Sequence, residues 1–295
     1  MTQTKFPPWI KRTLPATGEI EKMKAAFRKS NLHTVCESAR CPNIGECFSS
    51  KTATYMINGN ICTRVCGFCD VKSGKPLKQD PNEANNIAQS VKELGIEYSV
   101  ITAVNRDDLK DGGASQFKDV AKAINNLDKK IEIEFLIPDF NGKTEPLITV
   151  LEALPVVLNH NLETVESITP KVRNKAQYRR SLEVLSNAKL YGKSHTKTGV
   201  MLGLGETREE LLQLFDDIVN VECDILTLGQ YLSPGEKFLK VERFLHPDEF
   251  EELKSLAEKA GIKTVFSGPF VRSSFNAKEV SAQSKKIKKL NTLDK

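Results

Sequence analysis

Six of the seven cysteines fall within residues 36–69, as two triads. The later triad reads Cys62-Thr-Arg-Val-Cys66-Gly-Phe-Cys69, a C-x3-C-x2-C spacing on one short loop. Three thiolates this close can hold three irons of a cubane and leave the fourth iron without a protein ligand. An open iron can chelate the amino and carboxylate groups of S-adenosylmethionine (SAM) and set its sulfonium up for one-electron cleavage. Phe68, between the last two cysteines, is placed to cover such a cluster. The earlier triad, Cys36, Cys41 and Cys47, has C-x4-C-x5-C spacing and again offers three thiolates to a cubane. Its fourth ligand must come from elsewhere. A weak oxygen donor would let that iron leave and expose bridging sulfides. Cys223 is the other candidate, although its place in VECDIL, entering a strand, suits a buried core cysteine better.

Other uses of cysteine fit less well. A zinc ribbon needs four ligands, and no second C-x2-C or H-x3-H pair completes the set. An odd cysteine count without an export signal argues against a disulfide framework. His33, His160, His195 and His246 lack metal-ligand spacing among themselves, and only His160 falls near the expected site.

Past the cysteines, short β-rich runs alternate with helical runs at the pace of βα units. Strands are predicted at 52–57, 98–104, 131–137, 156–158, 198–202 and 225–232. Helices are predicted near 81–95, 114–127, 145–154, 177–190, 207–221 and 247–260, and a last extended piece, TVFSGPF, precedes the tail. Thr207 with Glu210 makes a capping box at the start of the fifth helix. Near-continuous apolar strands such as YSVITAV suit a parallel sheet covered by helices, and six units predict a partial (β/α)6 barrel of TIM-like type. In such barrels the chemistry sits at the C-terminal ends of the strands. That rule gathers Cys62–Cys69, Asn105–Gly113, Asp139, Asn159–Glu163, Gly203–Glu206 and Gln230 at one mouth. Gly112-Gly113 and Gly203-x-Gly205 read as tight turns rather than phosphate cradles. The expected organisation is an N-terminal extension over 1–51 with the first triad, a barrel over 52–270, and a tail over 271–295.

Composition sets the outer limits. Hydrophobic content of 39% and charged content of 27% are ordinary for a soluble enzyme, and 295 residues suffice for one α/β barrel. No apolar run of about 18 residues predicts a membrane span, and the N-terminus lacks the apolar core of a signal peptide. A cytoplasmic location is expected, with a processed organellar form left open. The net charge of +5 is mild, part of it in the basic tail, and no basic–aromatic interleaving predicts a nucleic-acid binder.

Together CESARCPNIGECF, CTRVCGFCDVKSG and GPFVRSSF resemble the lipoyl synthase family of the radical SAM superfamily. So do PPWIKRTLP, NRDDLKDGGA, NHNLETV, GLGET and LGQYLSPG, and the likeness spans residues 7–277. It implies a radical SAM partial barrel with two [4Fe–4S] clusters and SAM as cosubstrate. The substrate it implies is an octanoyl chain on a lysine of a lipoyl carrier domain, with sulfur inserted at C6 and C8 and two SAM consumed. It also implies that Cys36, Cys41, Cys47 and a serine of the RSSF motif, here Ser274 over Ser273, hold an auxiliary cluster that donates sulfur. Asn105, Arg106, Asp139, Asn161 and Glu163 are the implied SAM contacts, though each also suits loop capping or turn chemistry. Arg272 beside the serines could fix the tail by an ion pair or lie on the surface.

Partners implied are octanoylated carriers (2-oxoacid dehydrogenase E2 subunits and the glycine cleavage H protein), a ferredoxin- or flavodoxin-type electron donor, and an iron–sulfur carrier for cluster repair. A monomer is the default. The chain departs from the family's usual pattern at Phe48 and Phe275, at IPDF (Ile137–Phe140), and at AVNRDD (Ala103–Asp108), where Asn105 puts an amide in place of a carboxylate. Three alternatives are another radical SAM enzyme that inserts sulfur or a methylthio group with an auxiliary cluster, biotin-type sulfur insertion, which would lack the 36/41/47 triad, and a zinc-binding module.

Overall fold

The structure, a computed structural model, describes residues 6–11, 17–38, 41, 43–49 and 54–293. The chain first forms helix α1 (Thr17–Lys29), a two-residue strand β1 (His33–Thr34) and two short helices, α2 (Val35–Ser38) and α3 (Ile44–Ser49). Regular βα alternation follows: β2 (Thr54–Ile57), α4 (Glu83–Glu93), β3 (Tyr98–Ala103), α5 (Ala114–Leu127), β4 (Glu132–Leu136), α6 (Thr144–Leu151) and β5 (Val157–Asn159). Next come α7 (Thr169–Val172), α8 (Tyr178–Tyr191), β6 (His195–Leu202), α9 (Arg208–Asn220), β7 (Ile225–Gln230), α10 (Pro247–Ala260), β8 (Thr264–Gly268) and α11 (Ala277–Leu293).

The eight strands form one sheet in the order β1 to β8. Only the β1–β2 pairing is antiparallel; all later neighbours are parallel. A doubly wound sheet would reverse its order. Here order follows the chain, so right-handed crossovers place every crossover helix on the same face. Alternate strand residues confirm it. Ile57, Ile101, Phe135 and Leu158 pack against α4, α5 and α6, while Val200, Leu202, Leu226 and Leu228 pack against α9 and α10. The opposite face becomes the lumen of a partial barrel, as expected. In α5 the buried Phe117, Val120, Ala121 and Ile124 recur at the i, i+3, i+4, i+7 spacing that puts one stripe on the sheet. The capping box expected at α9 has both halves: Glu210 N–H donates to Thr207 Oγ1 at 3.2 Å, and Thr207 N–H to Glu210 Oε2 at 2.8 Å.

Three elements differ from expectation. The final extended piece is a seventh parallel strand, β8, paired along its length with β7. The strand predicted from Thr198 starts at His195. His195 and Lys197 face inward with buried partners, so polar residues continue the strand: Ser284 Oγ lies 2.9 Å from His195 Nδ1, and Lys197 Nζ lies 2.9 Å from Glu134 Oε1. The tail becomes α11, whose Ala277 and Val280 pack against Tyr98, Val100, Val157 and Ile225. Tyr98, Val157 and Ile225 open their strands, so α11 closes the lumen at the end away from the cysteines. Residues 52–53 of the first predicted strand, and the Phe48 side chain, lie outside the described residues.

Candidate active site

The loop after β2 carries Cys62, Cys66 and Cys69 and is folded by its own backbone. Cys62 N–H donates to Lys72 O at 2.8 Å, Gly74 N–H to Cys62 O at 2.9 Å, and Cys69 N–H to Cys66 O at 3.2 Å. Gly67 N–H donates to Val172 O at 2.9 Å, which ties the loop to α7. Arg64, between the first two cysteines, is 4% exposed and anchors the loop to its neighbours. Its guanidinium lies 2.7 Å from both Asp107 Oδ1 and Asp139 Oδ1, and it donates to Asn141 Oδ1 at 2.8 Å. Burial alone would raise the Asp139 carboxyl, but Arg64 outweighs it and holds the group at about 2. Asp139 is therefore a buried counter-ion behind the site.

Two adjoining cavities open at the C-terminal ends of the strands. The smaller, of 180 Å³, is lined by Cys62, Cys66 and Cys69 together with Asn105, His160 and Arg173. The larger, of 460 Å³, is lined by Cys36, Cys41 and Cys47 with Ser273 and Ser274. Val35, Phe68, Cys69, Leu136, Asn161 and Glu163 line both and form their common wall. Phe68, between two of the cysteines, faces both cavities. Of the expected SAM contacts, the structure brings Asn105, Asn161 and Glu163 to the smaller cavity. It leaves Asp139 and Arg106 out of both. Arg106 is 3% exposed and engages Asp108 at 2.9 Å and Asn58 O at 3.1 Å.

Glu163 is held with a positive φ of 69°, as Glu163 N–H donates to Gly199 O at 2.9 Å and Met201 N–H to Glu163 O at 2.8 Å. A left-handed non-glycine residue costs on the order of 1–2 kcal/mol, and such strain collects at functional positions. Desolvation raises the Glu163 carboxyl, opposed by Arg173 and by Asn161, whose Nδ2 donates to it at 3.0 Å.

The serines reach the larger cavity because two inward strand positions have no side chain. A Cβ at Gly229 would run into the Val271 carbonyl, and one at Gly199 would meet Ser273 Cβ at 3.2 Å. The segment after β8 crosses β6 and β7 through this gap. Asn43 Nδ2, between Cys41 and Cys47, donates to Phe270 O at 2.7 Å and links the first triad to the tail. Asn161 Nδ2 lies 3.3 Å from Ser273 Oγ. Arg272 turns back on its own segment, donating to Val271 O at 2.7 Å. Cys223 is buried in the apolar core under α9 and α10, away from both cavities.

The donor chemistry fits iron–sulfur clusters. Burial pushes the Cys36 and Cys69 thiols up to about 12 and Cys66 to about 11. Without metal these thiols keep their protons, and ligation must displace them. Among the described residues, no three His, Cys, Asp or Glu side chains converge as the ligands of a single ion do. The six thiols line the two cavities, and thiolates are the usual ligands of iron–sulfur clusters.

Several working residues carry no sequence signal. Arg173 donates to Asn161 O at 2.9 Å and lines the smaller cavity, yet it sits in no motif. Gly199 reads only as a strand glycine, and Gly229, although inside LGQYLSPG, gives no sign in the sequence of the close approach it permits. Arg64 stood inside a cysteine motif, where its burial was not predictable. Other expected mouth residues are structural: Glu206 staples its turn by accepting from Gly203 N–H at 2.6 Å and Leu204 N–H at 2.9 Å. Gly203 and Gly205 have positive φ, as tight turns require. His160 is buried between Ile137 O at 2.9 Å and Ser181 Oγ at 3.0 Å.

Comparison with known proteins places this geometry. The profile of the radical SAM superfamily matches residues 56–218, and that of the N-terminal domain of lipoyl synthase matches residues 1–41. The chain is 48% identical over 282 residues to the lipoyl synthase of Caldicellulosiruptor saccharolyticus, covering 95% of this chain and 99% of that one. It is 50% identical to the lipoyl synthase of Myxococcus xanthus, over 95% of each. Among solved structures, HydG, a maturase of the [FeFe]-hydrogenase, aligns with a TM-score of 0.58 at 15% identity, over 90% of this chain and 69% of HydG. Streptococcus suis SuiB bound to S-adenosylmethionine aligns at 0.54 and 11% identity, over 76% of this chain and 53% of SuiB. These structural likenesses carry the fold.

Proposed function

Because the chain belongs to the lipoyl synthase family, we propose that its two adjoining cavities are one reaction chamber divided by the Phe68–Asn161–Glu163 wall. The reaction is insertion of two sulfur atoms, at C6 and C8, into a protein-bound octanoyl chain, with SAM and two [4Fe–4S] clusters as cofactors. The single observation that carries the residue assignment is that both cysteine triads and the serine motif line cavities sharing a wall.

Cys62, Cys66 and Cys69 hold one cluster, and Cys36, Cys41, Cys47 and Ser274 hold the other. When bound, the first supplies one-electron cleavage of SAM to a hydrogen-abstracting radical, and the second supplies the sulfur. Ser274 is preferred over Ser273, whose hydroxyl lies within reach of Asn161. Asn105, Asn161 and Glu163 orient SAM in the smaller cavity. Arg106 and Asp139, drawn from the same loops, act behind it by holding loop shape. The octanoyl chain lies in the larger cavity against Val35, Leu136, Met201, Leu232 and Val271. Its C6 and C8 hydrogens are not acidic, so Glu163 serves as an orienting and not a proton-accepting group. The apolar lining excludes water, which keeps reactive carbon from side reactions.

The carriers proposed are E2 subunits and the glycine cleavage H protein, with a ferredoxin- or flavodoxin-type donor, an iron–sulfur carrier for repair, and a monomeric enzyme. Among the described residues no helix is long and apolar enough to cross a membrane, in keeping with the cytoplasmic location proposed. The test is anaerobic turnover of an octanoyl-lysyl peptide with SAM and reductant, read by mass for two added sulfurs. A product with a single methylthio group, or none, would overturn the reading.

A further inference from the structure

Three loops at the mouth carry a concentrated positive charge. They are residues 70–80, 171–175 and 233–243, and together they hold nine Lys or Arg against four Asp or Glu. Their net of +5 equals the formal net charge of the whole chain. The loops adjoin in space. Leu239 N–H donates to Gly67 O at 2.9 Å, Lys237 Nζ lies 3.5 Å from Asp70 Oδ1, and Lys171 Nζ lies 3.4 Å from Glu242 Oε1. The first loop supplies Ser73 to the smaller cavity, and the third supplies Ser233 and Pro234 to the larger. Lys72, Lys75, Lys78, Lys175 and Lys240 are exposed. Val65, 61% exposed, and Leu77, 75% exposed, add apolar contacts on the same side.

We propose that this rim is the docking surface for the domain that presents the octanoyl-lysine, and that the docking face of that domain is acidic around the lysine. The inference rests on the substrate reading above. A side chain threaded into the cavity from outside brings its carrier's surface against the loops beside the opening, and three of those loops carry exposed lysines. Rim charges act mainly by steering encounter, so their effect is on association and is screened by salt. The only aromatic residue in the three loops is the half-buried Phe238, so no stacking platform for nucleic acid accompanies the lysines.

The experiment compares two substrates of the reconstituted enzyme: an octanoylated lipoyl carrier domain and a short octanoyl-lysyl peptide. In a Lys75→Glu/Lys78→Glu/Lys240→Glu variant, KM for the domain should rise about tenfold or more at low salt. Its salt dependence should flatten, while KM for the peptide stays within twofold. Lys129→Glu/Lys130→Glu, before β4 at the opposite end of the barrel, changes net charge in the same direction and should leave both KM values alone. Unchanged domain KM in the rim variant overturns the proposal, as does an equal rise in both variants, which would reflect net charge alone. Rim-dependent retention on anionic phospholipid vesicles, with domain KM unaffected, would assign the lysines to a membrane surface instead. Failure of the unaltered enzyme to convert the peptide at all would sink the substrate reading and the docking inference with it. Conversion of the peptide alongside an indifferent rim would sink the inference alone.

Discussion

Replacing Gly229 by alanine isolates the route by which the serine motif enters the barrel. Gly229 lies in β7, and alanine by itself is the better strand residue, so local propensity would favour the change. The obstacle is tertiary. The new methyl would meet the Val271 carbonyl oxygen far inside the separation of about 3.5 Å at which such atoms rest. Backbone has no rotamer to escape into. The segment is also held on both sides, by Asn43 donating to Phe270 O at 2.7 Å and by α11 packed under the lumen. Residues 271–275 must therefore shift, and overpacking of this kind costs about 1–3 kcal/mol. If a cost of about 2 kcal/mol falls on the proposed contact between Ser274 and a cluster iron, that contact weakens about 30-fold.

The assay is iron content and EPR of anaerobically reconstituted protein, with SAM cleavage and lipoyl formation measured in parallel. The expected result is loss of the auxiliary cluster's signal and of lipoyl formation, with SAM cleavage kept. Gly199→Ala should be milder, because the Asn161 Oδ1 and Thr227 Oγ1 atoms it would meet at 2.9 Å belong to side chains that can turn. A Gly229→Ala protein with full iron, unchanged thermal midpoint and normal lipoyl formation would refute the packing argument.

Cys62→Ala should abolish SAM cleavage, whereas Cys36→Ala should spare it and block lipoyl formation; deoxyadenosine produced by Cys62→Ala would contradict the division between triads. Ser274→Ala should lower sulfur insertion more than SAM cleavage, and a neutral outcome beside an impaired Ser273→Ala would move the ligand by one residue. Asp139→Asn should destabilise the protein by about 3 kcal/mol in denaturant unfolding at pH 7, since it leaves buried Arg64 short of a partner. The Asp139 carboxyl is depressed in the folded state. Its contribution, roughly 2–3 kcal/mol, is therefore present above the unfolded value near 4 and lost as pH falls through about 2. An Asp139→Asn protein as stable as the parent at pH 7 would show that the ion pair only breaks even.

The two triads stood out in the sequence because cluster ligation calls for residue type at short spacing, and each triad lies within a dozen residues; the structure brings both to the cavities. The βα alternation was equally plain, since burial on both sheet faces leaves apolar runs and a helix period marks the intervals. Cys223 could be set aside from its surroundings alone. What the chain could not disclose were contacts between residues far apart. The partners of Lys197 and His195 are Glu134 and Ser284, so a strand that looked too polar at its start belongs wholly to the sheet. Asp139 and Arg106 sit in the loops where SAM contacts were expected, yet guanidinium–carboxylate pairing holds each away from both cavities.

Sequence alone thus determined the repeating architecture and the family, and it supplied the expected ligand set, because these depend on residue type at fixed short intervals. Tertiary structure alone decided that Gly199 and Gly229 clear a passage for the tail, that Asn161 and Glu163 form a shared wall, and that Arg173 stands at the smaller cavity. The physical reason is that steric room and charge pairing are properties of pairs of surfaces, and the members of such pairs here come from segments 12 to more than 200 residues apart.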